Sequence, residues 1–453
     1  MNSIMRDDTR TERDLLGDVE VAANALYGAQ TARAVANFPV DGARRLGDYP
    51  LLVRALIQVK KAAATANGAT GRLEMPVVSA IRTAADRLLS ERRFDQFPVH
   101  ALHGGGGTSA NMNANEVLAN VAEECLGGRR GEYRFVHPSN HVNLNQSTND
   151  VYPTACHLAI VGALEPLDGV LGRLRDSFRA QADRCAGDAH LARTCLQDAV
   201  ATTFGDLFGA YAAVVERSRQ RTAAAVERLN AVNLGGTIVG RPSDVPEAYF
   251  ARVIEALRVE TGRPAVRRAD DLFDAAQHVD DMAAVSASLA LLARGLVKIA
   301  KDLRLLSSGP EAGLGELSLP AVQPGSSIMP GKINPVIPEF VIQACCRVVG
   351  CDAACQMAVD HGELDLNVWE SLAVVSVLDE MAFLESALTT FADRCVAGLV
   401  PNRDRNNQHV ATLIPLLTRL MQAHGYSAVS DVCRRAGRDP EAIRDLLRRE
   451  HLL

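Results

Sequence analysis

The chain has 453 residues, of which 47 % are hydrophobic and 23 % are charged. At about 150 residues per domain, this length excludes a small scaffold held by disulfides or a metal, and it corresponds to roughly three domains or one elongated core. Lys and Arg number 48 against 54 Asp and Glu, and the net charge of −6 argues against a nucleic-acid partner or an anionic membrane surface. Aromatic residues are only 4 %, which favours long packed helices over sheets.

The cysteines and the N-terminus predict a reduced, cytoplasmic protein. The 10 Cys lack the spacing of a disulfide-bonded domain, and the first residues are charged, without an apolar signal core. No uncharged apolar run reaches the roughly 18 residues of a membrane span, so we expect no membrane partner.

Three domains are predicted along the chain. Residues 1–140 alternate shorter helical patterns with Gly-rich and Pro-containing turns, which predicts an N-terminal helical domain. Residues 141–396 carry the longest apolar periodicities and are predicted to form a central bundle of long helices. Residues 397–453 are polar and rich in Arg, and are predicted to form a small C-terminal helical domain.

The central domain contains four predicted long helices. They are expected to run from near Pro153 to Cys185, to start near Asp198, to carry a heptad seam from Val285 to Leu306, and to start near Leu364. Helices of about 30 residues span roughly 45 Å, longer than one globular domain needs. Because such helices usually pack against equivalent ones, the sequence predicts an oligomer.

Polar segments concentrate the chemistry, and each is expected to precede a helix, whose backbone N–H groups and positive dipole end would face a ligand. Each of the first three also fits an ordinary helix cap or turn, whereas the fourth is hard to explain as a solvated linker. Together they offer hydroxyls, amides and one ammonium, which suits a small dicarboxylate. The segments are residues 104–109 (GGGGTS), 146–150 (QSTND), 193–198 (RTCLQD) and 325–335 (GSSIMPGKINP), the last with Asn334 as predicted N-cap and Pro335 as first helical residue.

Nucleotide, metal and cofactor sites are not predicted. Residues 104–109 lack the Lys of a phosphate loop, and no G-x-G-x-x-G follows a strand-like run. His137 and His141 stand four residues apart but have no third ligand, and Cys351 and Cys355 are best explained by core packing.

At the fourth segment the chain resembles the aspartase/fumarase superfamily, most closely its aspartate ammonia-lyases. The signature is GSSIMPGKIN at 325–334, with Glu339 following. Further matching motifs occur in order along nearly the whole chain, at residues 13–17, 27–31, 107–113, 147–150, 196–199 and 305–310.

The resemblance implies an all-α fold of three domains whose central bundle of long helices forms a homotetramer with composite active sites. It implies a cofactor-free anti elimination of ammonia from L-aspartate to give fumarate, through an aci-carboxylate intermediate. It also implies the role of each site residue. The base is Ser326, the carboxylate next to the amino group is held by Lys332, Asn334 and Thr194, the other carboxylate is surrounded by Thr108, Ser147, Thr148 and Ser327, and the leaving group lies near Asn149.

The residue after Thr194, Cys195, is also predicted to bind the substrate, and it departs from the family pattern. Fumarases of the superfamily have His there, and aspartases have His or Gln. Because water leaves poorly unless it is protonated, whereas an ammonium leaves as neutral ammonia, Cys195 argues against a fumarate hydratase. Three alternatives stay open beside the aspartate reaction: elimination from an N-modified or N-oxidised aspartate that Cys195 would admit, a class II fumarate hydratase, and a non-catalytic helical scaffold.

Overall fold

The structure is a computed structural model that describes residues 8–39, 42–437 and 439–453. Helices dominate the described residues, and the strands are short. The helices are α1 (Ala29–Asn37), α2 (Pro50–Ala69), α3 (Met75–Ser90), α4 (Thr108–Cys125), α5 (Thr148–Arg184), α6 (Phe204–Arg228), α7 (Glu247–Thr261), α8 (Leu272–Gln277), α9 (Asp280–Leu306), α10 (Val336–Asp360), α11 (Glu370–Arg394), α12 (Arg403–Val410), α13 (Leu413–His424), α14 (Tyr426–Ala436) and α15 (Pro440–Arg449).

The strands pair two by two and build no larger sheet among the described residues. The antiparallel pairs are β1 (Thr9–Asp14) with β2 (Gly17–Ala22), β3 (Ala189–Thr194) with β4 (Gln197–Thr203), and β7 (Leu317–Ser318) with β8 (Val400–Pro401), and the parallel pair is β5 (Ala231–Val232) with β6 (Arg267–Arg268). Because these pairs are small beside the helices, the predicted all-α class is confirmed.

The heptad seam of α9 is confirmed as its buried face. All seven seam side chains, from Val285 to Leu306, are buried. On α5, Leu158, Leu167 and Phe178 are likewise buried. A helix buries such a row because its 3.6-residue period brings positions three and four apart onto one face.

Helix α5 starts at Thr148, earlier than the predicted start near Pro153, and two further predicted helix starts are wrong. Residues 197–203 form strand β4, where Val200, Thr202 and Thr203 supply the β-branched side chains that strands prefer. Helix α6 begins only at Phe204, because Thr203 Oγ1 accepts from Asp206 N at 3.0 Å while Asp206 accepts from Thr203 N at 3.2 Å. This reciprocal capping box fixes the start of the helix. Similarly, α11 starts at Glu370 rather than near Leu364.

The chain divides into two compact units, each assembled from separate segments. Unit 1 comprises the described residues of Met1–Asp168, Gln220–Leu291 and Arg347–Phe383, and unit 2 those of Gly169–Arg219, Leu292–Cys346 and Leu384–Leu453. Helices α5, α6, α9, α10 and α11 each contribute residues to both. The division into three domains at residues 140 and 396 stays a prediction.

Within unit 1, α2 packs against α3, α4 and α7. Its buried face contains Ala62, Ala63 and Ala66, whose small side chains let neighbouring helices approach closely. Within unit 2, the β3–β4 hairpin packs against α12 and α13. In unit 1 the packed helix α4 follows residues 104–107 of the first polar segment, and in unit 2 the supported hairpin carries the third polar segment, residues 193–198.

By length and composition, α5 and α9 are apolar enough to cross a membrane. Of their most apolar stretches, 50 % and 61 % of the residues are buried inside the protein. Burial inside the protein thus accounts for about half or more of each apolar stretch.

Candidate active site

The first polar segment, in unit 1, leads into helix α4. Gly107 precedes the helix with a φ of 85°, and a Cβ there would lie 2.3 Å from the Tyr152 ring. Only glycine fits, because both the backbone conformation and the space exclude a side chain. Thr108 then begins α4 as an exposed residue, and its hydroxyl donates to Gly105 O at 2.8 Å.

The second segment forms the N-terminus of α5, also in unit 1. Ser147 is the N-cap: its Oγ accepts from Asn149 N at 3.2 Å, and Asp150 accepts from Ser147 N at 2.9 Å. Thr148 Oγ1 accepts from Asn111 Nδ2 at 3.0 Å. Since a hydroxyl has a single hydrogen and both oxygens already accept, the hydrogens of Ser147 and Thr148 are free to be donated to an anion.

Asp150, which the sequence analysis left without a role, anchors this turn from the core. The side chain is fully buried and also accepts from Gly235 N at 2.9 Å and Thr237 N at 3.2 Å. Burial raises its pKa to about 6, although these N–H groups stabilise the charged form. The turn is therefore fixed to the loop that follows β5.

Asn149 is held from two sides. Its Nδ2 donates to Ile238 O at 2.8 Å, and its backbone carbonyl accepts from Asn233 Nδ2 at 2.9 Å. Because the side-chain amide nitrogen faces a carbonyl, the Oδ1 atom is turned the other way and is free to accept. An acceptor suits an amino or ammonium group.

A buried polar network lies behind Thr148. Lys60 has no exposed surface, and its Nζ donates to Asn143 Oδ1 at 2.7 Å. The same oxygen accepts from Asn111 Nδ2 at 3.3 Å. Burial lowers the Lys60 pKa to about 7, while the nearby Asp150 opposes that shift. Lys60, Asn111 and Asn143 were not predicted as site residues, and the one available signal was the position of Lys60, four residues from the apolar Leu56 and Ala64 on the same helix face.

The third segment, in unit 2, is a hairpin turn and not a helix start, which corrects the prediction. Cys195 and Leu196 form the two-residue turn between β3 and β4, with φ values of 53° and 61°. Two consecutive positive φ angles are those of a type I′ turn, which normally carries Asn and Gly. Thr194 and Cys195 are exposed at this tip.

The hairpin is anchored by Glu316, which is fully buried. It accepts from Arg193 Nη1 at 3.1 Å and pairs with His409 Nδ1 at 2.5 Å. Burial opposes ionisation of Glu316, but the hydrogen bonds from Arg193 and His409 outweigh it and lower the pKa. The residue that precedes Thr194 is thus tied to the core of unit 2.

The signature loop, also in unit 2, closes on itself. Gly325 N donates to Lys332 O at 2.8 Å, and Asn334 Nδ2 donates to Gly325 O at 2.7 Å. Asn334 therefore braces the loop rather than capping the next helix, and α10 starts at Val336, one residue later than predicted. A Cβ at position 325 would lie 2.5 Å from Lys332 O, so glycine is required.

Ser326 lies near the start of this loop. Its Oγ accepts from Ile328 N at 3.2 Å and from Met329 N at 3.0 Å. Two converging backbone donors stabilise negative charge on the oxygen they face. Ser327 and Lys332 are exposed, as is Ile328, of which 84 % is accessible.

Each unit brings part of the predicted site together. In unit 1, Asn111 on α4 donates a hydrogen bond to Thr148 and so links the two helix starts. Thr108 is the first residue of α4, and Ser147 and Asn149 flank Thr148 in sequence. In unit 2, one loop carries the predicted residues Ser326, Ser327, Lys332 and Asn334. Among the described residues, no hydrogen bond joins Thr194 or Cys195 to that loop.

The histidine pair is used locally. His137 Nδ1 accepts from Ser139 N and Asn140 N, and His141 Nδ1 accepts from His137 N at 2.9 Å. In the part of the chain that the structure describes, no group of three or more His, Cys, Asp or Glu side chains is arranged to hold a metal. The absence of a metal or cofactor from the reaction stays a prediction.

Comparison with known proteins agrees with this architecture. The sequence profile of the lyase family matches residues 17–350, and the chain belongs to that family, within the aspartase/fumarase superfamily. The relatives include the aspartate ammonia-lyase of Pseudomonas aeruginosa, which is 42 % identical over 98 % of this chain and 94 % of that protein. The resemblance seen in the signature loop is thereby confirmed.

Two solved structures share the fold. A fumarate lyase:delta crystallin from Brucella melitensis bound to cobalt has a TM-score of 0.91 and 42 % identity, over 97 % of this chain and 98 % of that one. A class II fumarase from Schistosoma mansoni has a TM-score of 0.93 and 30 % identity, over 98 % and 96 %. The all-α fold of long helices is therefore the fold of this superfamily.

Proposed function

We propose that the protein is a carbon-nitrogen lyase that converts L-aspartate into fumarate and ammonia. Relatives with the name aspartate ammonia-lyase, similar over nearly the whole chain, support this reaction. The structural observation that carries the proposal is the pair of backbone N–H groups on Ser326 Oγ. A serine hydroxyl is a poor base unless its alkoxide is stabilised, and these donors stabilise it.

The proposed reaction begins at the carbon next to the carboxylate remote from the amino group. Its hydrogen is very weakly acidic, so removal by Ser326 requires stabilisation of the dianionic aci-carboxylate that forms. The hydroxyl groups around that carboxylate donate to it, and single donors of this kind are often worth ~10²-fold to 10³-fold in rate. They belong to Thr108, Ser147, Thr148 and Ser327.

The other end of aspartate carries the amino group and the second carboxylate. In the proposal, Lys332, Asn334 and Thr194 hold this carboxylate by charge and hydrogen bonds. Asn149 lies near the leaving group, where its free Oδ1 accepts from the ammonium. The C–N bond breaks on the face opposite the lost proton, and ammonia leaves with the bonding electrons, so no further proton donor is needed.

The direct test is the ultraviolet absorbance of fumarate formed by the purified protein from L-aspartate, L-malate or N-substituted aspartates. Turnover of aspartate with little or none of malate is the expected result. Turnover of malate without aspartate would overturn the proposal in favour of a fumarate hydratase. A chain that binds but converts none of these substrates would instead be a helical scaffold.

A second candidate substrate is an N-modified or N-oxidised aspartate. It is favoured by Cys195, an exposed thiol at the hairpin tip where related enzymes have a larger polar side chain. A Cys195→His variant should keep aspartate turnover and lose turnover of N-substituted aspartates. If the wild-type protein prefers plain aspartate by as much as the variant does, this candidate is wrong.

The proposed assembly is a homotetramer whose active sites combine segments from different subunits. Large apolar side chains exposed on the long helices support an association, among them Leu291 and Leu305 on α9 and Met357 on α10. Mixing and reassembling inactive Ser326→Ala and Thr148→Val chains would restore about a quarter of the wild-type activity, if the two residues come from different subunits. Hybrids without activity would contradict composite sites.

The proposed location is the cytoplasm. The cysteines are all free thiols, which fits a reducing compartment. Cell fractionation would test this location, and limited proteolysis would test the predicted domain boundaries near residues 140 and 396. Cleavage confined to other positions would contradict those boundaries.

A further inference from the structure

The network behind Thr148 has a fixed direction of hydrogen bonding. As an ammonium Lys60 can only donate, so the Asn143 atom that faces it at 2.7 Å must be the carbonyl oxygen Oδ1. Asn143 Nδ2 accordingly points the other way and donates to Gln146 O at 3.2 Å. The amides of Asn111 and Asn115 face the same Oδ1, at 3.3 Å and 3.2 Å, and therefore present their nitrogen atoms. The ammonium thus sets the orientation of every amide in the network.

The orientation of Asn111 then determines what Thr148 can do. The nitrogen that donates to Asn143 also donates to Thr148 Oγ1 at 3.0 Å, so both of its hydrogens are used. Thr148 Oγ1 is held as an acceptor, and its own hydrogen must point away from Asn111. In the reverse orientation, an amide oxygen would take that hydrogen. Asn111 is 1 % exposed, so water does not compete for this contact.

We propose that Asn111 is a positioning residue that keeps the Thr148 hydroxyl as a hydrogen-bond donor toward the substrate carboxylate on which charge develops. Asn143 and Lys60 hold Asn111 in that orientation. The inference rests on the proposed elimination from aspartate, since it assigns Thr148 to that carboxylate. Such pre-organisation lowers the activation barrier, because a hydroxyl that already points at the developing charge needs no reorientation during the reaction.

The orientation of Asn143 depends on the charge of Lys60. Burial lowers the pKa of Lys60 to about 7 and the nearby Asp150 opposes that shift; below that pH Lys60 is an ammonium, which can only donate to Asn143. The Oδ1 atoms of Asn111 and Asn115 are buried and accept no hydrogen bond from the described residues.

The first test replaces Asn111 by the isosteric but apolar Leu. Asn111→Leu should lower kcat/KM for aspartate by about 10-fold to 100-fold, with a larger change in kcat than in KM, because the hydroxyl donates to the bound carboxylate and most strongly to the charge that develops in the transition state. The matched control is Asn113→Leu, two residues along the same helix and equally buried, where the lost bond goes to Gln96 O. It should lower thermal stability similarly but leave kcat and KM unchanged.

A double-mutant cycle decides whether Asn111 acts through Thr148. Thr148→Val alone should lower kcat by ~10²-fold, and the variant that also carries Asn111→Leu should be no slower than Thr148→Val. A product of the two single effects would show that Asn111 acts by packing alone, and would overturn the proposal. Equal kinetic losses in Asn111→Leu and Asn113→Leu would overturn it too.

A second variant serves if Asn111→Leu does not fold. Lys60→Met removes the donor that orients Asn143. It should also lower kcat, and it should cause no further loss of kcat in a protein that already carries Thr148→Val.

If the wild-type protein makes no fumarate from aspartate, the proposed function is wrong, but the positioning proposal can still be tested. The positioning proposal is then read from the dissociation constant of succinate, an unreactive dicarboxylate. Weaker binding in Asn111→Leu but not Asn113→Leu supports it, and equal binding overturns it.

Discussion

The two halves of the candidate site are supported in different ways. In unit 1, Thr148 is backed by fully buried side chains, Lys60 and Asp150 among them. In unit 2, the loop around Ser326 is exposed and closed mainly by its own backbone and by Asn334. Thr148, one of the proposed charge-binding residues, is therefore backed by the core, whereas the proposed base Ser326 depends on a short surface segment.

This contrast assigns different costs to mutation. Groups that stabilise developing charge must be pre-organised, and a packed core holds them without further reorganisation. A base on an exposed loop is less constrained, and changes there should affect the reaction more than the fold.

The largest expected effect is kinetic and belongs to the loop. Ser326→Ala should lower kcat by ~10³-fold, because a positioned general base contributes about that much. The unfolding temperature should not change, since Ser326 is only half-buried and its hydroxyl bonds only to the backbone of its own loop. A variant with full turnover would remove Ser326 as the base, and one with a lower melting temperature would contradict the separation.

The second effect compares two glycines with almost equal φ values. Gly107→Ala should destabilise the protein by about 3 kcal/mol or more, because its Cβ would lie 2.3 Å from Tyr152 in addition to the strain of a φ of 85°. Gly331→Ala, in the signature loop, has a φ of 84° but nothing within 4 Å of the new Cβ, so only strain of about 1 kcal/mol is expected. Denaturant unfolding measures both. Equal losses would show that the loop is packed as tightly as the core.

Repeating features such as the α9 seam could be predicted from the sequence, whereas features that depend on contacts between distant residues could not. The α9 seam was predictable because a heptad pattern identifies one helix face without knowledge of its partner. The β3–β4 hairpin was missed because its turn, Cys195 and Leu196, lacks the Asn or Gly that normally indicates a type I′ turn.

The candidate site shows the same limit. Ser326 and Thr148 lie in recognisable motifs, but the roles of Lys60 and Glu316 follow only from what the folded chain brings to them. Glu316 and His409 are 93 positions apart in sequence. No local pattern predicts such a pair, and its role in stabilising the buried Glu316 carboxylate follows only from the folded structure.

The third prediction concerns a carboxyl buried in unit 1. Burial raises the pKa of Glu380 from 4.5 to about 9. Between these values the folded protein keeps a proton that the unfolded chain releases, so stability should fall as the pH rises, by about 1.4 kcal/mol per pH unit. Glu380→Gln should abolish this contribution, as followed by denaturant unfolding between about pH 5 and pH 8.

Glu385→Gln is the matched control, because Glu385 lies on the same helix but is exposed. It should leave the pH dependence of stability unchanged. A Glu380→Gln variant with the wild-type pH dependence would show that Glu380 is ionised in the folded protein. The neutralising effect of burial, which distinguishes the core from the loop, would then not hold at this position.

The smallest effect separates strain from chemistry at the hairpin tip. Leu196→Gly should stabilise the hairpin by about 0.5 kcal/mol, because glycine adopts a φ of 61° without steric cost but loses more backbone entropy on folding. Cys195→Gly should give a similar gain, since Cys195 has a φ of 53°. Amide hydrogen exchange in β3 and β4 measures both gains.

The KM for aspartate separates the two positions. Leu196→Gly should leave this KM unchanged, whereas Cys195→Gly, which removes a proposed substrate contact, should change it by less than about 10-fold. If both variants change KM equally, turn conformation and not the thiol determines substrate binding at this tip.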